Sequence, residues 1–250
     1  MEKFTELLIN SSYDPTKLIL SLVGGFIPAM LWLMFWLRED KERPEPKGLI
    51  FLTLLAGMIA VIPVLPLQRL ASQYITDQNN LLPVLVAIEE VMKFSAVSII
   101  IFRNKFLDEP VDYALYFIVG ALGFATLENA LFLTYPINIG DTTVSVLTGN
   151  LRFLGATLLH AMTTGFVGCM LGLAFFKSNK MKFFYILGGL GVGIVLHTTF
   201  NFFIIKNNGG DVLTVFGFLW VFAVIIMLLF EKLRRMSEPL YITDRASIII

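Results

Sequence analysis

The sequence predicts an all-α polytopic membrane protein, a single integral-membrane domain over 1–250 with about seven transmembrane helices. Three observations carry this. Residues of the AVILMFWYC set make up 56% of the chain and charged residues only 15%, where soluble domains carry about 25%. Mean hydropathy is +0.77. Seven apolar runs, at 18–37, 48–67, 81–102, 113–134, 151–176, 183–205 and 211–230, reach the roughly 20 residues that a bilayer core requires.

A further full span before residue 18 would raise the count to eight and move only the N-terminus. The polar start, residues 1–17, runs into a full-length span, which predicts no cleaved signal peptide. The second run holds Pro63 and Pro66 and is expected to kink or end there, because proline removes a helix hydrogen bond. Residues 231–250 form a polar or interfacial end that closes on Ile248–Ile250. Formal net charge is zero, which points to no nucleic-acid partner. Cys169 is the only cysteine, so no intramolecular disulfide forms.

Charge fixes the expected orientation. The connections 38–47, 103–112 and 177–182 and the C-terminal tail hold 13 of the Lys and Arg residues. The opposite side holds five: Lys3, Lys17, Arg69, Arg152 and Lys206. Basic residues concentrate on the cytoplasmic side, so the N-terminus is expected outside and the C-terminus inside a cell membrane.

The third run, LLPVLVAIEEVMKFSAVSIIIF, carries Glu89, Glu90 and Lys93 near its middle. Charged residues there cost roughly 2.5–3.5 kcal/mol each on insertion scales, so chains that keep them use them. Lys93 follows Glu89 by four residues and Glu90 by three, within reach of either carboxylate. Two adjacent carboxylates in a dry place resist ionising together, which sets an acid beside a base. The fourth run adds Glu128, the fifth His160 and the sixth His197, and these are the only two histidines. With 1.5 Å of rise per residue, Glu89, Glu128, His160 and His197 all fall about 9–14 Å below the outer boundary. They are expected to form one polar catalytic layer in the outer half of the bundle. On the i, i+4 rows, His197 is joined by Gly189, Gly193 and Asn201, and His160 by Thr164, Gly168 and Gly172. Glu128 is joined by Phe124 and Gly120. Small residues let helices approach closely, so these faces are expected to point into the bundle. The glycines and Thr164 are read as packing residues.

Four motifs resemble those of the PrsW family of intramembrane proteases. EEVMK at Glu89–Lys93 is similar to its EExxK, and FATLEN at Phe124–Asn129 to its FxxxEN. His160 fits its isolated histidine, and HTTFN at His197–Asn201 fits its HxxxN. The loop REDKERPEPK resembles the acidic, Glu-Pro-rich segment that follows the first span in that family. Similarity to the type II CAAX prenyl proteases and bacteriocin-processing enzymes is more distant. Lys93 stands one position early for their EExxxR, and Glu128 replaces a histidine. The resemblance implies site-1 cleavage of a single-pass, anti-sigma-factor-like membrane protein on its extracytoplasmic side.

Peptide hydrolysis needs an activated water, a stabilised oxyanion and a proton for the leaving amine. Glu89 is the candidate base, with Glu90 and Lys93 setting its charge. Glu128 and His160 are placed to position water, and His197 and Asn201 to stabilise the oxyanion. Asn129 and Phe124 support them within their motif. Alternatively, His160, His197, Glu128 and Glu89 offer ligands for one zinc ion. The sequence leaves a metal-free glutamate mechanism and a zinc mechanism equally open. A proton- or ion-coupled transporter also keeps Glu, His and Lys inside the bilayer. It is expected to show inverted repeats, and none is visible.

Overall fold

The structure, a computed structural model, describes residues 14–40, 43–206 and 212–248. Among these, the chain forms eight α-helices and one π-helical turn. The helices are α1 (Pro15–Glu39), α2 (Lys47–Tyr74), α3 (Gln78–Ile101), α4 (Pro110–Asn138), α5 (Thr142–Leu151), α6 (Thr157–Leu173), α7 (Asn179–Lys206) and α8 (Val212–Ile248). The π turn, Arg152–Ala156, joins α5 to α6.

The fold is all-α and polytopic. Five helices, α1, α2, α4, α7 and α8, are long and apolar enough to cross a membrane. Of the seven expected spans, the two that fall short are those that carry Glu89, Glu90 and His160. The span expected at 81–102 forms α3, whose middle holds three ionisable residues. The span expected at 151–176 is divided, since its first residues form the π turn and only 17 remain in α6.

Local chemistry sets several boundaries. Asp14 and Asp77 cap α1 and α3 by accepting the backbone N–H groups of Thr16 and Asn79. Glu109 and Asp112 form a reciprocal capping box at the start of α4. Of the kink or end expected at Pro63 and Pro66, the end does not occur, since α2 continues past both prolines to Tyr74. The polar tail is helical too. Glu231 pairs with Arg234 and Arg235 at i+3 and i+4, which carries α8 beyond the apolar run.

At the centre stands α4. Every residue from Pro110 to Thr126 is buried, as expected of a helix apolar on all sides. Helices α1, α2, α3, α6 and α8 pack around it. Glycine permits the closest approaches. A Cβ on Gly57 would collide with the Gly120 carbonyl oxygen, and one on Gly123 with that of Leu54. Backbone contact of this kind replaces the hydrophobic drive that lipid does not supply.

The two ends of the bundle are tied separately. Lys17 Nζ donates to the Asn138 carbonyl at 2.9 Å, which brings the start of α1 to the end of α4. Arg43 Nη1 meets Glu109 Oε1 at 2.9 Å, joining the α1–α2 and α3–α4 connections at the other end.

Candidate active site

Four helices converge on one buried polar cluster. Its residues stand well inside the bundle. Glu89 lies 11 residues from the start of α3, Glu128 ten before the end of α4 and His197 nine before the end of α7. At 1.5 Å per residue that is about 14–17 Å from each helix end. His160 arrives in the first turn of α6, just past the π turn.

Glu90 is the most enclosed of the three carboxylates. Lys93 Nζ donates to its Oε1 at 2.5 Å. Thr163 and Thr164 donate their hydroxyls to Oε1 and Oε2 at 3.1 and 2.9 Å. His197 Nδ1 donates to Oε1 at 2.7 Å. A carboxylate taken out of water needs such saturation. Glu90 therefore orients its neighbours and is closed to water. The hydrogen bond at Nδ1 sets the His197 tautomer and leaves the Nε2 lone pair free. That Nε2 lies 3.7 Å from Glu89 Oε2.

Glu89 is held differently. Its Oε1 accepts from Gln68 Nε2 at 2.8 Å, whereas Oε2 is buried with no hydrogen-bond donor among the described residues. Lys93, within helical reach of both carboxylates, turns to Glu90 and also donates to His160 Nδ1 at 3.0 Å. That leaves His160 Nε2–H to donate to Glu128 Oε2 at 2.9 Å. The two imidazole rings meet edge to face at 5.0 Å, and Phe124 closes the site against His160 at 5.4 Å. The Lys93 ammonium lies 5.0 Å from the centre of the Phe124 ring.

Glu128 is reached from the π turn. Arg152 pairs with Glu128 Oε2 through Nη2 and with Asn129 Oδ1 through Nε at 2.5 Å. Asn129 in turn donates to Thr157 Oγ1, and Thr157 donates to the Arg152 carbonyl. This closed loop of bonds holds the π turn against α4. Asn201 lies one turn beyond His197 on α7 and is half-buried.

Glu89, Glu90, Glu128, His160 and His197 are thus within one network, with Lys93 and Phe124 inside it. Asn129 touches it through Arg152. Four members were not read as site residues from the sequence. Thr163 follows His160 by three residues, a helical spacing that points to it. Thr164, read as packing, bonds Glu90. Gln68 was hidden by the two prolines that suggested the helix stops, and Arg152 read as a loop charge.

The donor set suits a metal ion. One ligand atom each from Glu89, His160 and His197 lie within 4.8 Å of one another, and no other such group occurs among the described residues. Two histidines and one carboxylate, with a fourth position open, is a catalytic zinc arrangement. The orphaned Glu89 Oε2 is the observation that tests the fit. A buried charged acceptor without a partner is costly, and a cation beside it removes the cost. Both nitrogens of His160 are engaged, so an ion bound there exchanges one of them from Lys93 or Glu128.

The model of the family described as "PrsW family intramembrane metalloprotease" matches residues 45–230. Protease PrsW of Bacillus subtilis (strain 168) is 25% identical over 206 residues, covering 80% of this chain and 91% of that protein. Protease PrsW of Geobacillus kaustophilus (strain HTA426) is 27% identical over 188 residues, with 74% and 80% covered. Protease PrsW of Shouchella clausii (strain KSM-K16) is 24% identical over 226 residues, with 87% and 97% covered. No solved structure matches the chain. A polytopic helical bundle with a buried Glu and His cluster, matched by this family over most of its length, belongs to the PrsW family of intramembrane metalloproteases.

Proposed function

We propose that this intramembrane protease makes the first cut in a single-pass, anti-sigma-factor-like membrane protein, on its extracytoplasmic side. The whole chain acts as one domain in which α3 and the divided π turn–α6 segment join the five long apolar helices as seven spans, the N-terminus outside and the C-terminus cytoplasmic. The observation that carries the site is the convergence of Glu89, His160 and His197 with the bare Glu89 Oε2 among them.

These three residues would hold a metal ion. When bound, zinc supplies Lewis-acid polarisation of the scissile carbonyl and activation of water. Glu90 accepts from His197 Nδ1 and keeps Nε2 directed at the site, the carboxylate–histidine support that metal ligands need. Lys93 balances the charge of Glu90 from within the same helix. Glu128 is the general base. Its side chain is 17% exposed, against 12% for Glu89 and 0% for Glu90, so of the three carboxylates it is the most open to water. It stands beside His160 with Arg152 as its counter-ion. The same carboxyl returns its proton to the leaving amine. Asn201 is the amide donor for the carbonyl oxygen. Compared with a reading in which Glu89 is the base, the geometry favours Glu89 as ligand and Glu128 as base, since Glu89 falls in the ligand group and Glu128 outside it.

The test is cleavage of a single-pass substrate by purified protein, with terminal sequencing of the fragments. Wild type is expected to cut outside the substrate's membrane midplane. Glu128→Gln is expected to lose about 10²–10⁴-fold in kcat, the range for removal of a general acid–base. A Glu128→Gln variant with an unchanged rate removes Glu128 from the mechanism. Substrate transport without fragments would instead support the transporter reading.

A further inference from the structure

We propose that Gln68 is a positioning residue of the active site, one that aims Glu89 at the metal ion. The inference rests on the reading of Glu89 as a ligand. Gln68 belongs to none of the motifs described above and reaches the site from α2, a helix that supplies no other group to it.

The chemistry at Gln68 is unambiguous. Its Nε2 donates to Glu89 Oε1 at 2.8 Å and to the Leu85 carbonyl at 3.3 Å. Both neighbours are acceptors, so only the amide nitrogen can face them. The residue is 9% exposed, and its bond to Glu89 is buried. By engaging Oε1, Gln68 fixes the carboxylate plane and leaves Oε2 as the atom presented to His197 Nε2, 3.7 Å away. Without it both oxygens of Glu89 would lack donors, and the side chain could turn to other rotamers. The donor also disperses charge on the carboxylate and so tunes its strength as a ligand.

This assigns a purpose to the continuation of α2 beyond Pro63 and Pro66. A helix that ended at either proline would not carry Gln68 opposite Glu89. The backbone there is secured by Ser72, whose hydroxyl donates to the Gln68 carbonyl at 2.8 Å.

The experiment compares wild type with Gln68→Met and Gln68→Glu, each purified in detergent and checked by thermal melting. Methionine keeps the volume and removes the donors. Glutamate keeps the shape and turns two donors into acceptors facing acceptors. Two readouts are taken: kcat and KM on a single-pass substrate, and zinc affinity by competition with a chelator. For Gln68→Met, kcat is expected to fall about 10–100-fold with KM nearly unchanged, and zinc affinity to fall by a similar factor, the usual effect of losing an outer-shell partner. Gln68→Glu is expected to fall further on both. A packing role would leave the isosteric Gln68→Met close to wild type. Wild-type kcat and zinc affinity in a folded Gln68→Met protein overturn the proposal. If wild type cleaves but holds no zinc, the ligand reading of Glu89 fails by itself, and kcat of Gln68→Met still decides whether Gln68 positions Glu89.

Discussion

At the scale of residues, Glu89 and Glu90 are neighbours in sequence with opposite surroundings. Glu90 is saturated by Lys93, Thr163, Thr164 and His197, while Glu89 keeps one oxygen bare. Their division of labour follows from side-chain direction, since consecutive helical residues point about 100° apart. Lys93 is the hinge of this arrangement, fully buried between Glu90 and His160. Removing one member of a buried charge pair costs roughly 3–5 kcal/mol, because the other charge is left alone. Lys93→Met is therefore expected to lower both thermal stability in detergent and cleavage. Lys93→Arg, which keeps the charge, is expected to lose less of each. Equal activity in Lys93→Met and wild type would make Lys93 a bystander. The sequence made the pairing visible through the i, i+3 and i, i+4 spacing. It could not say which carboxylate Lys93 chooses, because that depends on the threonines and His197 arriving from α6 and α7.

At the scale of elements, helix type and order were legible from hydropathy, and helix ends were less so. The polar layer was legible as well, because ionisable residues stand out against apolar runs. The continuation of α2 and the π turn were not. Prolines are tolerated where neighbouring helices support the backbone, and sequence does not show the neighbours. The π turn depends on Asn129 and Thr157 clasping Arg152, a contact between residues 23 to 28 positions apart. The α1–α2 connection behaves similarly. Glu45 reads as a loop acid, yet it accepts the Tyr116 hydroxyl and stands beside Asp108 and Glu109. Burial holds its carboxyl above the usual carboxylate range, and the charges of Asp108 and Glu109 add to this. A group whose pKa is raised in the folded state stabilises most below its unfolded value and loses that contribution as pH rises through the folded one. Glu45→Gln is thus expected to match wild type in melting temperature at acidic pH and to exceed it increasingly as pH rises to neutral. A constant difference across pH would show that Glu45 does not titrate in this way.

At the scale of the whole molecule, a central buried α4 is surrounded by helices whose outer faces remain apolar, with Phe51, Ile62, Ile99 and Val195 all exposed to the surroundings. This is the inside-out pattern of a chain that folds in lipid. The count of basic residues predicts an orientation for it, with the N-terminus outside. Cysteines placed in the connections 75–77 or 139–141, in a Cys169→Ala background, are expected to react with an impermeant maleimide in intact cells. Labelling at 38–47 instead would reverse the orientation and put the site on the cytoplasmic side. In the proposed mechanism Glu89, His160 and His197 form a metal site for hydrolysis. The most direct test is to strip the purified protein with a chelator, then follow cleavage of a single-pass substrate as zinc is titrated back. Activity is expected to vanish on stripping and to return in full at about one zinc per chain, as a site with three protein ligands requires. His197→Ala is expected to show no return at any zinc concentration tolerated by wild type. A fully stripped chain that still cleaves at the original rate would contradict the claim and leave the carboxylates to act without metal.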